Sequence, residues 1–240
     1  MKTRTLILAA LAVLFVVPTV VQAEESDNPA IKPVPRSGWW MTRHAEKLEI
    51  VKKGGINLVF MGDSITHGWE GHGKQLWAER YAPRGAVNLG YSGDRTEHVL
   101  WRLEKGELDG IKPKLCVMMI GTNNIGHGSS TPEQTVIGVK AILDKFKELQ
   151  PQMKVLLLGV FPRGADKSDP KRQAVDKINE GLPALADGCR VHYLDIGPKF
   201  LKGDVLPREI MPDLLHPRGE GYQIWADAIE PSIKKLMGEE

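Results

Sequence analysis

Leu115 to Ile120 reads Leu-Cys-Val-Met-Met-Ile, six residues without one hydrophilic side chain. Successive side chains of a strand point to opposite faces, so a run that is apolar at every position predicts a strand covered on both sides. That is the condition of a central strand in a parallel sheet, and parallel neighbours require crossover connections, usually helices. The run therefore commits the chain to a layered α/β architecture. The remaining strand candidates are the apolar start of Asn57 to Thr66, Ala86 to Leu89, Lys154 to Gly159 and Val191 to Asp195. Helical stretches alternate with them: Thr42 to Lys53, closed by Gly54-Gly55; Gln75 to Tyr81; Thr96 to Leu103; Thr131-Pro132 to Leu149; Asp169 to Leu185; and a last one after Gly221. This order predicts a three-layer α/β/α sandwich on a five-stranded parallel sheet.

Residues 1–23 combine a basic start (Lys2, Arg4), an apolar run from Leu6 to Val17 and Val21-Gln22-Ala23 before Glu24-Glu25. This is the layout of a secretory signal peptide cleaved after Ala23, and it predicts a secreted or periplasmic protein with no stable membrane insertion after cleavage. The apolar run falls below the roughly 20 residues of a membrane span. Residues 24–38, with Pro29, Pro33 and Pro35, read as an extended leader that Trp39 and Trp40 pin to a single domain over 39–240. Without Lys2 and Arg4, the 32 Lys plus Arg fall to 30, against 30 Asp plus Glu. That balance, with no basic stripe, excludes nucleic acid as an expected partner. Cys116 and Cys189 are expected to be reduced and structural, since buried free cysteine behaves as a small hydrophobe. No cofactor or metal motif is present: His67, Glu70 and His72 make at most a metal half-site and read as solvated loop residues.

Three successive strand candidates end in small or polar turns, at Ser64, at Gly90 to Gly93 and at Asn123. In a parallel sheet these turns lie side by side at the carboxyl edge, where reactive groups collect. Ser64 supplies a hydroxyl there, and Asp63 reads as a turn-holding residue. Asp213-Leu214-Leu215-His216-Pro217 supplies a base: with i,i+3 spacing in a helical or turn conformation, Asp213 can accept from the Nδ1 of His216 and leave Nε2 facing Ser64.

Four blocks, Gly62-Asp63-Ser64, Asn88-Leu89-Gly90-Tyr91-Ser92-Gly93, Gly121-Thr122-Asn123-Asn124 and Asp213 to Pro217, resemble in order those of the SGNH or GDSL serine hydrolases. Gly93-Asp94, His98 to Leu103, Gly106-Glu107-Leu108, Ile111 to Lys114 and Phe161-Pro162-Arg163-Gly164 are further similar to the catalytic subunits of brain-type platelet-activating factor acetylhydrolase. The resemblance implies a flavodoxin-like sheet of order 2-1-3-4-5. It also implies Ser64 as nucleophile, His216 as base, Asp213 as its orienter, and an oxyanion hole from the Ser64 and Gly93 N–H groups and the Asn123 side chain. Ile65 and Asn124 depart from the commoner leucine and aspartate.

The expected function is that of an exported serine esterase for short-chain, chiefly acetyl, esters, with an acetylated carbohydrate as a fitting small-molecule substrate. A phospholipid or platelet-activating-factor-type acetylhydrolase or lysophospholipase is the enzymatic alternative, and a carbohydrate-binding module on the same fold the non-enzymatic one. A homodimer is compatible with either. His127, Arg163, Trp69 and Trp77 are open between lining the site and packing.

Overall fold

The computed structural model describes residues 27–239. The expected signal peptide and the start of the leader lie outside them. Five strands, β1 (Leu58–Gly62), β2 (Ala86–Gly90), β3 (Leu115–Met119), β4 (Lys154–Leu158) and β5 (Val191–Leu194), form one parallel sheet in the order 2-1-3-4-5. The fold is the three-layer sandwich that the strand-helix alternation predicts. The main helices are α1 (Trp39–Lys52), α2 (Ser64–His67), α3 (Thr96–Glu104), α4 (Thr122–Gly126), α5 (Pro132–Leu149), α6 (Pro170–Gly181) and α7 (Gly219–Met237).

Period-two alternation divides the core into two. Val59, Met61, Cys116 and Met118 face the layer of α1, α3, α5 and α6, meeting Val99, Ile142 and Ile178. Leu58, Phe60, Leu115 and Val117 face the other layer, where α7 contributes Trp225, Ile229 and Ile233 and the stretch after α2 contributes Trp69 and Tyr81. Trp69 is fully buried among Tyr222, Trp225 and Tyr81, and Trp77 packs on Phe60, so both tryptophans belong to the packing.

Most boundaries fall within a residue of the sequence reading, and three helix ends differ by more. Helix α1 opens at Trp39 rather than Thr42, because Gly38 takes a left-handed conformation (φ 64°) that ends the leader and turns the chain directly into the helix. Burial of Trp40 against Tyr91 and Trp101 then holds that first turn. Helix α6 stops at Gly181 and continues to Leu185 only as a tighter turn, since Pro183 has no N–H to donate. Helix α7 opens at Gly219, so Gly221 lies inside its first turn. Cys116 is buried as expected, whereas Cys189 is exposed in the turn before β5, where Asp187 holds the backbone and leaves the thiol outside.

The sheet register fixes the edge that matters. Gly62 pairs with Gly90 on one side and Met119 on the other, so the turns after β1, β2 and β3 leave the sheet at one level. Helix α2 crosses this edge in close contact: a Cβ on Gly62 would lie 2.3 Å from Thr66 Oγ1, and one on Gly90 2.3 Å from the His67 nitrogen. Both glycines are therefore required by space. Asn88 ties the same parts together, donating from Nδ2 to the Thr66 carbonyl at 3.0 Å and accepting the Gly90 N–H at 2.8 Å.

Asp63 caps α2 as the sequence suggests, accepting the Ile65 N–H at 3.0 Å, but it does so fully buried. Desolvation pushes its carboxyl up to about 7 against the pull of the Ile65 N–H and of His216. A second buried network lies behind the β2 turn. Arg102, with no exposed surface, donates from Nε to Asp94 at 3.0 Å, pairs with Glu107 and stacks 3.9 Å over Tyr91, which also hydrogen-bonds Glu107.

Arg102→Met removes the buried cation that Asp94 and Glu107 share, and unfolding by urea is expected to show a loss of about 3–5 kcal/mol. The raised Asp63 carboxyl binds more protons folded than unfolded, so its favourable contribution is present below its ordinary pKa and is lost as pH rises through about 7. Asp63→Asn is accordingly expected to gain stability over the native chain between pH 5 and pH 8 in denaturant titrations. An identical difference at both pH values would show that Asp63 is already ionised at pH 5.

Candidate active site

Ser64 opens α2, and its Oγ lies 2.8 Å from Nε2 of His216, 152 residues away. The other ring nitrogen, Nδ1, is 2.6 Å from Oδ2 of Asp213. The remaining Asp213 oxygen accepts the backbone N–H groups of Leu215 at 3.1 Å and His216 at 2.7 Å, so a single carboxylate shapes the turn and orients the ring. Desolvation pushes the Asp213 carboxyl up, but the bonds from the His216 side chain and backbone outweigh it and hold it below the usual carboxylate range. The turn is not helical. Leu214 is the one described non-glycine residue with a left-handed backbone (φ 59°), and its carbonyl accepts the Gly164 N–H at 2.9 Å. That conformation costs about 1 kcal/mol or more, and the surrounding bonds impose it. Asp213 and His216 stand at the mouth of the site, their side chains 56% and 41% exposed among the described residues.

Gly93 and Asn123 occupy the neighbouring turns, and a bond between those turns joins them: Asn123 donates from Nδ2 to the Asp94 carbonyl at 2.9 Å. Gly93 is left-handed (φ 80°), and a Cβ there would meet the Arg36 guanidinium at 3.0 Å. Arg36 itself donates to the Ser92 carbonyl at 2.7 Å. The structure thus brings Ser64, His216 and Asp213 into one hydrogen-bonded line and sets Gly93 and Asn123 on the two adjoining strand ends.

A cleft of about 660 Å³ opens on Ser64, walled by His67, Glu70, His72, Ser92 and Arg218 together with the His216 turn. The reading of His67 as a solvated loop residue is corrected here, since it ends α2 partly buried, and Glu70, although exposed, is fully engaged. Glu70 is clasped by both Arg43 terminal nitrogens at 2.9 and 2.8 Å and by Lys47 at 2.7 Å. Burial raises the Glu70 carboxyl, but these hydrogen bonds overcome it and bring it to about 2. His67 is partly buried, 3.0 Å from Ser92 Oγ, and desolvation reinforced by Arg43 lowers it to about 4. His72 is exposed, as expected. Among the described residues no group of three or more His, Cys, Asp or Glu could hold a metal ion.

Arg163 braces the β3 turn, donating to the Thr122 carbonyl at 2.9 Å, and His127 pairs with Arg95 at 3.3 Å; neither lines the cleft. Asn124 accepts the Thr96 N–H at 3.2 Å and donates to the Thr96 hydroxyl at 3.0 Å, a donation that an aspartate could not make. The sequence reading gave no place in a cleft to His67, Ser92, Arg218 or Tyr222, all of which line it. A signal for His67 was present: Ser64 and His67 are three apart on a helix opened by an aspartate cap, a spacing that puts them on one face.

The sequence matches the GDSL-like Lipase/Acylhydrolase family over residues 60–224. It is 38% identical over 223 residues to platelet-activating factor acetylhydrolase IB subunit alpha1 of Rattus norvegicus, covering 90% of this chain and 94% of that protein. In three dimensions it is similar to a GDSL-like lipase from Bacteroides thetaiotaomicron, with a TM-score of 0.65 and 24% identity over 82% of this chain and 96% of the other. An acetylxylan esterase from Geobacillus stearothermophilus aligns with a TM-score of 0.60 and 20% identity over 78% and 96%. These two structures share the fold, while the family match and the 38% identity establish kinship. The chain belongs to the GDSL-like lipase/acylhydrolase family and is a carboxylic ester hydrolase.

Proposed function

We propose that this enzyme hydrolyses short-chain, chiefly acetyl, esters through a covalent acyl-enzyme on Ser64. The observation that carries the reading is the line Ser64 Oγ, His216 and Asp213, with its two hydrogen bonds of 2.8 and 2.6 Å. His216 takes the Ser64 proton as Oγ attacks the ester carbonyl, and the carbonyl π bond becomes a tetrahedral oxyanion. Collapse expels the alcohol, to which His216 returns the proton. Water activated by the same imidazole then releases the acid and free Ser64. Asp213 keeps Nδ1 protonated and stabilises the imidazolium as it forms.

The N–H groups of Ser64 and Gly93 and the Asn123 amide are the proposed oxyanion donors. The first stands at a helix start, where backbone N–H groups lack intrahelical acceptors. Gly93 leaves its N–H open to close approach because it has no side chain, and the bond from Asn123 to the Asp94 carbonyl fixes that amide before substrate arrives.

Acetylated carbohydrate is the substrate class that we favour, because the cleft wall is built of hydrogen-bonding side chains and its one glutamate is already engaged by two cations. Action outside the cytoplasm, after removal of residues 1–23, belongs to the same proposal and rests on the sequence of that segment. A phospholipid acetyl ester is the second reading, favoured by the name of the 38% identical relative.

Ser64→Ala is expected to lower kcat on 4-nitrophenyl acetate by about 10⁴-fold or more with unchanged circular dichroism. Native-like turnover by that variant would remove Ser64 as nucleophile. Asn123→Ala is expected to cost about 10²- to 10³-fold in kcat with KM little affected, the pattern of a group that acts on the transition state.

A further inference from the structure

One wall of the cleft carries groups that acyl transfer leaves unused. His67 and Ser92 both line it, with Nδ1 and Oγ 3.0 Å apart. The other imidazole nitrogen, Nε2, stands 3.7 Å from Glu70, beyond hydrogen-bond reach, and Glu70 is committed to Arg43 and Lys47. Desolvation, Arg43 and Lys47 keep the His67 ring neutral near pH 7.

A neutral imidazole bonded to a hydroxyl presents the same capacity in either tautomer: one free N–H or O–H, and lone pairs on the partner atom. A ligand hydroxyl, donor and acceptor on one atom, matches that pair. A quaternary ammonium does not, since it requires an unpaired carboxylate or an aromatic cage.

Next to this pair the rim changes character. Trp39 stacks on His67 with ring centroids 6.1 Å apart and an interplanar angle of 26°, yet it is 49% exposed, among the most open large apolar residues described. Its position is set by the left-handed Gly38 and by Arg36, whose guanidinium lies 5.8 Å from the indole centroid while donating to the Ser92 carbonyl at 2.7 Å. Arg36 thus holds the indole and the Ser92 turn in fixed relation. An apolar ring at the lip of a hydroxyl-binding wall suits a molecule with C–H faces and hydroxyl edges.

We propose that His67, Ser92 and Trp39 form the subsite for the alcohol portion of the ester, and that this portion is a carbohydrate, its hydroxyls held by the His67–Ser92 pair and one sugar face laid against Trp39. The assignment rests on the reading of Ser64 as the attacking group, because it concerns the leaving-group side of that reaction.

The test compares the native enzyme with His67→Ala, Trp39→Ala and the conservative Trp39→Phe on acetylated xylo-oligosaccharides and on 4-nitrophenyl acetate. In each alanine variant the ratio of kcat/KM for the sugar ester to that for the aryl ester is expected to fall about tenfold or more, chiefly through KM, with partial recovery in Trp39→Phe. An unchanged ratio in both alanine variants overturns the subsite, even with aryl-ester hydrolysis still dependent on Ser64. If the native enzyme prefers a 2-acetyl glycerophospholipid to the sugar esters, the carbohydrate assignment falls. A third measurement needs no turnover: calorimetric titration of the Ser64→Ala protein with acetylated xylotetraose, with and without Trp39→Ala. Loss of binding on removal of the indole is expected, and equal binding in the two proteins overturns the proposal even if the Ser64 reading has failed.

Discussion

Asp94 is the point on which the active edge depends. Its carboxylate is fully buried and receives Trp40 Nε1 at 2.6 Å, Arg102 Nε at 3.0 Å and Arg36 at 3.4 Å, while its carbonyl accepts from Asn123. Desolvation pushes this carboxyl up to about 6, against the pull of Arg102, Trp40 and Arg36. A charge so placed is tolerated only with its partners in position, and each partner comes from a different part of the chain: the leader, α1 and α3. The cost of burying the acid therefore acts as a constraint. The leader, two helices and the turns after β2 and β3 must all reach their places before any of them is satisfied.

The same constraint separates what could be read in the sequence from what could not. Leu115 to Ile120 announces a central strand because its apolarity has no alternative use, and the Thr131-Pro132 start of α5 is visible because its cap and its proline act locally. Ser64, Gly93, Asn123, Asp213 and His216 were legible through short blocks and the rule that turns after parallel strands converge. Helix α1 was legible only as a helix. It buries Arg43, His44 and Lys47, residues that a hydropathy pattern assigns to solvent, because their counter-charges arrive from Glu70 and Glu107, distant in sequence. His67 escaped for the related reason that its surroundings are assembled from Arg43, Lys47 and Ser92 on other segments. Leu214 in the left-handed region breaks a residue preference, and a preference cannot announce its own exception.

Two histidines near one serine are thus given opposite characters. His216 stands partly open to water and hydrogen-bonded to a carboxylate. His67 is partly buried, near two cations, and bonded only to a hydroxyl. In the proposed reaction the first takes and returns the proton, while the second is held as a neutral hydrogen-bonding surface.

The placement of Asp213 and His216 three residues apart, in a turn clasped at Leu214 by Gly164, has a consequence for how the site is put together. Of the two contacts in the line from Ser64 to Asp213, one lies within a four-residue turn that the Gly164 N–H helps to hold in shape at Leu214. The other, between Ser64 and His216, joins residues 152 apart in the sequence. Tyr222 spans that single joint, its hydroxyl donating to the Ile65 carbonyl at 2.7 Å and so fastening the start of α7 to α2. The assembly resembles a latch: acid and base share one turn, and a single bond to Ser64 engages them both.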